Sequence, residues 1–241
     1  MDETKLSREG WIQSADAWIA SMEEGDLNRE LLLDPVLLEW LEPLPKGLIL
    51  DIGCGEGRFS RKMTGPGSTV IGLDPVVALA ETAHRKGGLF LVGDGEKLPF
   101  PSERFDLALS YLVLLDIPDY RAAIREMARV LKPGGHALIA NVNPLVSSQD
   151  GWCRNEKGDK LHIKVDDYLS ERGTHVSWAN IAVYNWHRPL QNYLTAFLDV
   201  GLILRRYVEP SPSEAAIEQE QWLAGGRRVP WFHVMLWQKP L

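Results

Sequence analysis

Residues Leu48–Phe59 read "LILDIGCGEGRF". An apolar run ends on the carboxylate of Asp51, and the turn after it carries Gly53, Gly55 and Gly57, with a second acid, Glu56, between the last two. A short apolar run closed by glycines reads as a buried strand. Glycines placed directly after it let the backbone turn tightly into a helix and offer its N–H groups to a ligand. In an open α/β sheet this first crossover opens onto the crevice at the carboxyl ends of the strands, where ligands bind. Spacing and charge then narrow the ligand. A dinucleotide fingerprint, G-x-G-x-x-G/A, asks for glycine or alanine where this chain has Arg58. Two carboxylates disfavour a diphosphate and favour a cation without phosphate.

Downstream of this turn, short β-rich runs alternate with helical segments. The runs are "LILDIG", "STVIGLD", "LFLVGD", "FDLALSY" and "HALIANV", and the helical segments between them are "GRFSRKM", "VVALAETAHRK" and "DYRAAIREMARVL". Strands that are apolar throughout and alternate with helices indicate a parallel sheet covered on both faces. Two late runs, "ILRRYVEP" and "WFHVMLWQKP", flank a helical, Glu-rich stretch and bring the count to seven strands. The expected fold is therefore α/β, a doubly wound, mostly parallel seven-stranded sheet. Upstream, Trp11, Ile12, Ala15, Trp18, Ile19 and Met22 recur at helical spacing and predict an amphipathic helix. A second helix is expected to start at Asp34-Pro35, with Asp34 as its cap. The stretch 143–186 breaks the alternation. Its polar loop and the partial period of two around Leu161, Ile163 and Val165, then Val176, Trp178 and Ile181, predict a two-stranded insertion after the fifth strand. The helix in "RPLQNYLTAFLDVGL" is expected to stop at Gly201. The divisions are residues 1–46 as a helical N-terminal segment, 47–142 as the α/β core, 143–186 as a cap, and 187–241 completing the core of one domain.

Composition sets bounds on function. Of the residues 45% are hydrophobic and 24% charged, as in an ordinary globular protein. The 26 Lys+Arg against 33 Asp+Glu give a net charge of −7, which argues against nucleic acid or an anionic membrane as partner. Two cysteines, Cys54 and Cys153, form neither a disulfide framework nor a metal cluster. The acidic, polar N-terminus and the lack of an apolar run long enough to span a bilayer lead us to expect a cytoplasmic protein.

Four motifs in order, "LDIGCGEGRF", "VIGLDP", "VGDGEKLPFPSERFDLALS" and "EMARVLKPGGHALIA", make the chain resemble the class I S-adenosylmethionine-dependent methyltransferases, in particular their small-molecule, type 11 branch. The resemblance is strong over residues 47–142 and looser on either side. It implies S-adenosyl-L-methionine as cofactor, whose ammonium and sulfonium suit the acidic turn, and S-adenosyl-L-homocysteine as product. It places the methionine part against Asp51, Gly53, Cys54 and Gly55, and the ribose hydroxyls on Asp74, beside Pro75. The adenine would lie against Asp94, Gly95 and Glu96, with Ser110, Tyr111 and Leu112 beneath the sulfonium. The N-terminal helices would fold over the cofactor as a lid, Trp11 closing on it and Arg29 pairing with its carboxylate.

Methyl transfer is an in-line displacement that needs alignment and exclusion of water rather than a catalytic triad. An oxygen acceptor can require a general base. His187, in "YNWHRPL", is the candidate, because it lies where the insertion returns to the sheet edge behind Tyr184 and Trp186. No metal site is expected, since Asp166 and Asp167 are adjacent on an extended segment and face opposite ways. Nine tryptophans hint at an apolar, aromatic acceptor pocket. The expectation is thus methyl transfer to oxygen, nitrogen or carbon of a small molecule. A nicotinamide-dependent oxidoreductase, disfavoured by Arg58, Glu56 and Asp51, is one alternative, and a cofactor-binding protein without turnover is another. Aminopropyl transfer is a remote third.

Overall fold

The structure is a computed structural model and describes residues 3–241; the first two residues of the expected N-terminal segment lie outside the described residues. In chain order, helix α1 (Glu3–Glu24) is followed by a π-helical turn (Arg29–Leu33) that runs directly into α2 (Asp34–Leu41). The alternating core comes next: β1 (Leu48–Ile52), α3 (Arg58–Met63), β2 (Thr69–Asp74), α4 (Val77–Arg85), β3 (Leu89–Val92), β4 (Phe105–Tyr111), α5 (Tyr120–Val130) and β5 (Leu131–Val142). A short helix α6 (Pro144–Ser147) leads into β6 (Gln149–Arg154), β7 (Lys160–Val165), β8 (Arg172–Trp178) and β9 (Ile181–His187). The chain closes with α7 (Leu190–Asp199), β10 (Ile203–Val208), α8 (Glu214–Gln219), a 3-10 turn (Gln221–Arg227) and β11 (Phe232–Gln238).

Seven strands form one sheet in the order β10-β11-β5-β4-β1-β2-β3. Only β11 runs against its neighbours, pairing antiparallel with both β5 and β10. β1 is central, with Asp51 opposite Gly72 on one side and Leu109 on the other. Successive strand residues point to opposite faces, and both faces are covered. Leu50, Ile52, Leu73, Ile139 and Met235 pack with Ile124 and Met127 of α5 and Phe197 of α7. On the reverse face Ile49, Leu109, Leu138 and Val234 pack with Leu33, Leu37 and Trp40. Burial on both faces is why these strands read as continuous apolar runs.

α1 and the β8–β9 hairpin roof the strand ends. α1 lies along β9, and Ala15 and Trp18 form a third apolar cluster with Val76, Leu79, Ile181 and Val183. The approach is close: a Cβ on Gly10 would come within 3.0 Å of the Ala182 carbonyl oxygen and of Val183 Cα. Ser14 Oγ donates to the Ala182 carbonyl (3.1 Å) and accepts from the Ala182 N–H (3.0 Å), so a helix side chain occupies backbone groups of a strand.

Two expectations are corrected. The insertion has four strands in two hairpins, β6–β7 and β8–β9, rather than two strands. The β6–β7 register shifts between Gln149 and Trp152 and again between Cys153 and Arg154, which erases the period of two. In β8–β9 the turn residues Ala179 and Asn180 both have positive φ (43° and 63°), a two-residue hairpin turn that the apparent alternation from Trp178 to Ile181 concealed. Asp34 does not cap α2, because the π-helical turn already precedes it. Its buried carboxylate instead accepts from Arg58 (2.7 and 3.0 Å), Lys62 (2.8 Å) and the Tyr111 hydroxyl (2.8 Å). Burial would raise its pKa, but the hydrogen bonds from Arg58 and Lys62 outweigh that and hold it below the usual carboxylate range.

Candidate active site

At the carboxyl ends of the core strands lies a cavity of about 1120 Å³, walled by the core loops, by α1 and by the β8–β9 hairpin. Pockets for one small molecule run to roughly 300–1,000 Å³, so this one has room for two ligands side by side.

The glycine turn forms one wall. Gly53 has φ +67°, and a Cβ on it would lie 2.4 Å from a methyl of Val113, so the turn requires glycine there for conformation and for space. The N–H groups of its three glycines and of Cys54 are spent internally, contrary to the expectation that they face the ligand. Gly53 and Cys54 donate to the Leu73 carbonyl (2.7 and 3.1 Å), Gly55 donates to Asp74 Oδ2 (2.9 Å) and Gly57 to the Cys54 carbonyl (3.0 Å). A pyrophosphate would need those donors. A cation with a nucleoside does not.

Asp74 lines the cavity with Pro75, and its Oδ1 accepts from the Val76 N–H (2.9 Å), so backbone donors fix both carboxylate oxygens in orientation while leaving each a further lone pair. Burial raises its pKa to about 6. Further along the wall Asp94 accepts from the Glu96 N–H (2.9 Å), and Glu96 accepts from the Asp119 N–H (2.8 Å). Gly95, between them, is flattened against Ile52 and Ile117, each 3.1 Å from where its Cβ would be. Tyr111 and Leu112 line the floor, and Trp11 and Arg29 line the roof.

Three expected cofactor residues are not among the lining residues: Asp51, Cys54 and Ser110. All three are buried. Asp51 is buried under the turn and accepts from the Ser60 hydroxyl (2.5 Å), and burial raises its pKa to about 7. Cys54 Sγ is turned toward Gly72, and the Ser110 hydroxyl is fully buried.

Arg29 is held by Asp26 (2.7 Å) with its guanidinium over the rings of Trp18 (4.7 Å) and Tyr111 (5.4 Å). The Trp18 indole N–H is buried without a protein partner, and it faces Gly55, 3.3 Å from where a Cβ would be. An orphaned donor beside the glycine turn, a guanidinium next to it, and carboxylates further along fit S-adenosylmethionine, which carries an acidic group, an ammonium, a sulfonium and a ribose diol. The fit rests on these residues.

Asp116 escaped the sequence reading. It lies in the loop after β4 and lines the cavity. Its carboxylate accepts from Asn185 Nδ2 (2.5 Å), and its carbonyl accepts from Ser7 Oγ (2.5 Å). One residue therefore ties the core to α1 and to β9. Burial raises its pKa to about 7. Its signal was an acid inside the apolar run "YLVLLDIP". The same loop is clamped by Arg188, 1% exposed, whose guanidinium donates to the carbonyls of Leu114 (2.6 Å), Ile117 (2.6 Å) and Pro118 (2.9 Å).

His187 reaches the cavity wall, but both ring nitrogens are engaged: Nδ1 lies 2.7 Å from Ser147 Oγ and Nε2 2.7 Å from the Tyr168 carbonyl oxygen. Burial lowers its pKa. Among the described residues no three His, Cys, Asp or Glu side chains converge as metal ligands.

A seven-stranded sheet of this order, with a glycine turn after β1 and an acid closing β2, is a doubly wound α/β fold whose ligand crevice lies at the carboxyl ends of its strands. Residues 50–139 match a family described as a methyltransferase domain. A malonyl-[acyl-carrier protein] O-methyltransferase of Yersinia pestis is 34% identical over 160 residues, covering 66% of this chain and 58% of that one. A ubiquinone biosynthesis O-methyltransferase of Thiobacillus denitrificans is 29% identical over 161 residues, covering 59% and 63%. The chain spans less than two thirds of the length of these curated relatives. The crystal structure of an S-adenosylmethionine-dependent methyltransferase from Mesorhizobium loti superposes with a TM-score of 0.78 at 26% identity, covering 90% of this chain and 99% of that one. Residues 50–139 thus carry a methyltransferase domain, and the likeness over the whole fold supports a class I S-adenosylmethionine-dependent methyltransferase.

Proposed function

We propose that this protein transfers a methyl group from S-adenosylmethionine to a small-molecule acceptor. The observation that carries the reading is the acid-lined wall of Asp74, Asp94 and Glu96 beside a turn whose glycine N–H groups are bonded within the protein, which suits a sulfonium nucleoside better than a dinucleotide. That arrangement also weighs against the nicotinamide alternative. The cofactor supplies a methyl on positively charged sulfur. In this reading Asp74 accepts from the ribose hydroxyls, Asp94 and the Gly95–Glu96 backbone hold the adenine, and Trp18 and Arg29 receive the amino-acid end. Asp51 acts from beneath the turn through its charge. The remaining part of the cavity, lined by Leu112, Val142, Val146, Trp186 and Phe232, takes the acceptor. α1 and the β8–β9 hairpin form the lid that excludes water while the reacting atoms are held at about 3–3.5 Å. The names of similar proteins support oxygen as the atom methylated, including a nocamycin O-methyltransferase of Saccharothrix syringae, 37% identical over 127 residues.

Calorimetry with S-adenosylmethionine and with NADH tests the cofactor, and a metabolite screen with methyl-labelled cofactor tests the reaction. Binding of the first compound alone and label in a small organic product are the expected results. NADH binding in its place would overturn the reading.

A further inference from the structure

The hydrogen bonds around His187 decide its tautomer. A carbonyl oxygen only accepts, so the 2.7 Å contact with Tyr168 requires the proton on Nε2. In the neutral ring Nδ1 then carries the lone pair, and the partner 2.7 Å away, Ser147 Oγ, must donate to it. The local competition is settled the same way. The Pro144 carbonyl, the other acceptor near Ser147 at 3.4 Å, is taken by the Ser148 hydroxyl at 2.8 Å. His187 therefore offers no free lone pair to a ligand. The atom presented to the cavity is Ser147 Oγ, whose own proton already points at a buried imidazole and whose remaining lone pairs are open.

The position suits an acceptor. Ser147 stands just past the end of β5, beside β4 and one strand further from the cofactor turn than the β4 floor, and Val142, Val146, Phe232 and Trp186 form the apolar wall around it. An uncharged aromatic or enolic hydroxyl fits such a wall, and Arg172, which also lines the cavity, is already engaged by Asp167 and the Ser170 carbonyl.

We infer that Ser147 and His187 form a proton relay for an acceptor bearing a neutral hydroxyl, Ser147 being the catalytic residue in contact with that hydroxyl and His187 the positioning residue behind it. This rests on the methyl-transfer reading above. As the acceptor oxygen forms its bond to the methyl carbon, the S–C bond breaks and its electron pair stays on sulfur. The acceptor proton passes to Ser147 Oγ, and the serine proton passes to His187 Nδ1. The positive charge that began on sulfur ends on the imidazolium, which still donates to the Tyr168 carbonyl. The groups facing that ring are Asp167, Tyr168 and Glu171 from the preceding segment, Arg172 from β8, Arg188 next in sequence and Ser147 from α6.

The test uses protein labelled with nitrogen-15 histidine, saturated with S-adenosylhomocysteine so that no turnover occurs, with 4-nitrophenol as probe. The free protein should show His187 with its proton on Nε2. Adding the phenol should shift the His187 Nδ1 resonance, because the phenol hydroxyl donates to Ser147 Oγ and strengthens the serine's own bond to the ring. Ser147→Ala should abolish that shift, and Ser147→Thr, which restores a hydroxyl, should recover it. A proton on Nδ1 in the free protein, a histidine signal unmoved by the phenol, or equal responses in wild type and Ser147→Ala would each overturn the relay. Calorimetry with S-adenosylmethionine alone separates the two levels: failure to bind removes the methyltransferase reading, whereas binding with an unmoved histidine removes only the relay. With a phenolic acceptor in turnover, Ser147→Ala should lose roughly 100-fold or more in rate.

Discussion

The two halves of the cavity are built differently. The glycine-turn wall of the proposed cofactor half is assembled from neighbours in sequence: the Gly53 and Cys54 N–H groups reach Leu73, Gly55 reaches Asp74, and Asp74 reaches Val76, all within one β-α-β unit. The acceptor half is assembled from segments far apart in the chain. Ser7 and Asn185 meet at Asp116, Arg188 holds the carbonyls of Leu114, Ile117 and Pro118, and Ser147 meets His187. A contiguous unit conserves its geometry when its surroundings change. A site made of distant contacts can be remodelled by altering any one of them, which is how one cofactor fold serves many acceptors.

The largest effect should come from breaking the contiguous half. Gly53→Val places a branched side chain at φ +67° and into Val113, and should lower S-adenosylmethionine affinity by roughly 100-fold or more, read by calorimetry. Asp74→Asn keeps the side-chain shape but weakens charge-assisted acceptance from the ribose, and should cost about 2 kcal/mol of cofactor binding, or roughly 30-fold. Unchanged affinity would remove Asp74 from the ribose site.

A pH titration sharpens the electrostatic contrast. Asp74, with a pKa of about 6, and Asp51 and Asp116, with pKa values of about 7, are all raised by burial. A carboxyl raised in the folded state favours that state while protonated. Its contribution is fully present below its unfolded value, near 4, and is lost as pH rises through 6 to 7. The ligand-free protein should therefore melt at a lower temperature at pH 8 than at pH 5. Over the same window affinity for S-adenosylmethionine should rise by about tenfold, as the carboxylates ionise beside its cationic groups. S-adenosylhomocysteine, lacking the sulfonium charge, should gain less. Equal pH dependence for the two ligands would show that these acids do not sense the sulfonium.

The smallest effect concerns the roof. Ser14→Ala leaves the Ala182 N–H and carbonyl without their helix partner and should destabilise the protein by about 1–2 kcal/mol in a denaturant titration.

The same contrast explains what was legible in the sequence. The glycine turn, Asp74, Asp94 and the five core strands could be read because their partners are local and their pattern is repeated at each crossover. Asp116 could not, because its role depends on Ser7 and Asn185, which only the folded chain brings to it. The side chains of Asp51, Cys54 and Ser110 were placed against the cofactor by motif, but they are buried and do not line the cavity, because motif position fixes a backbone location and not which way a side chain points. His187 was found from its neighbours in sequence, but its bond to Ser147, 40 residues away, was not. The hairpins of the insertion were blurred where bulges and a two-residue turn break the period of two.

The seam between α1 and β9 has a mechanical consequence. With Gly10 pressed on the strand backbone and Ser14 bonded to Ala182 in both directions, the helix and the hairpin behave as one plate. If the proposed lid opens, the two parts would lift together, and the nucleoside and the second reactant would share one doorway.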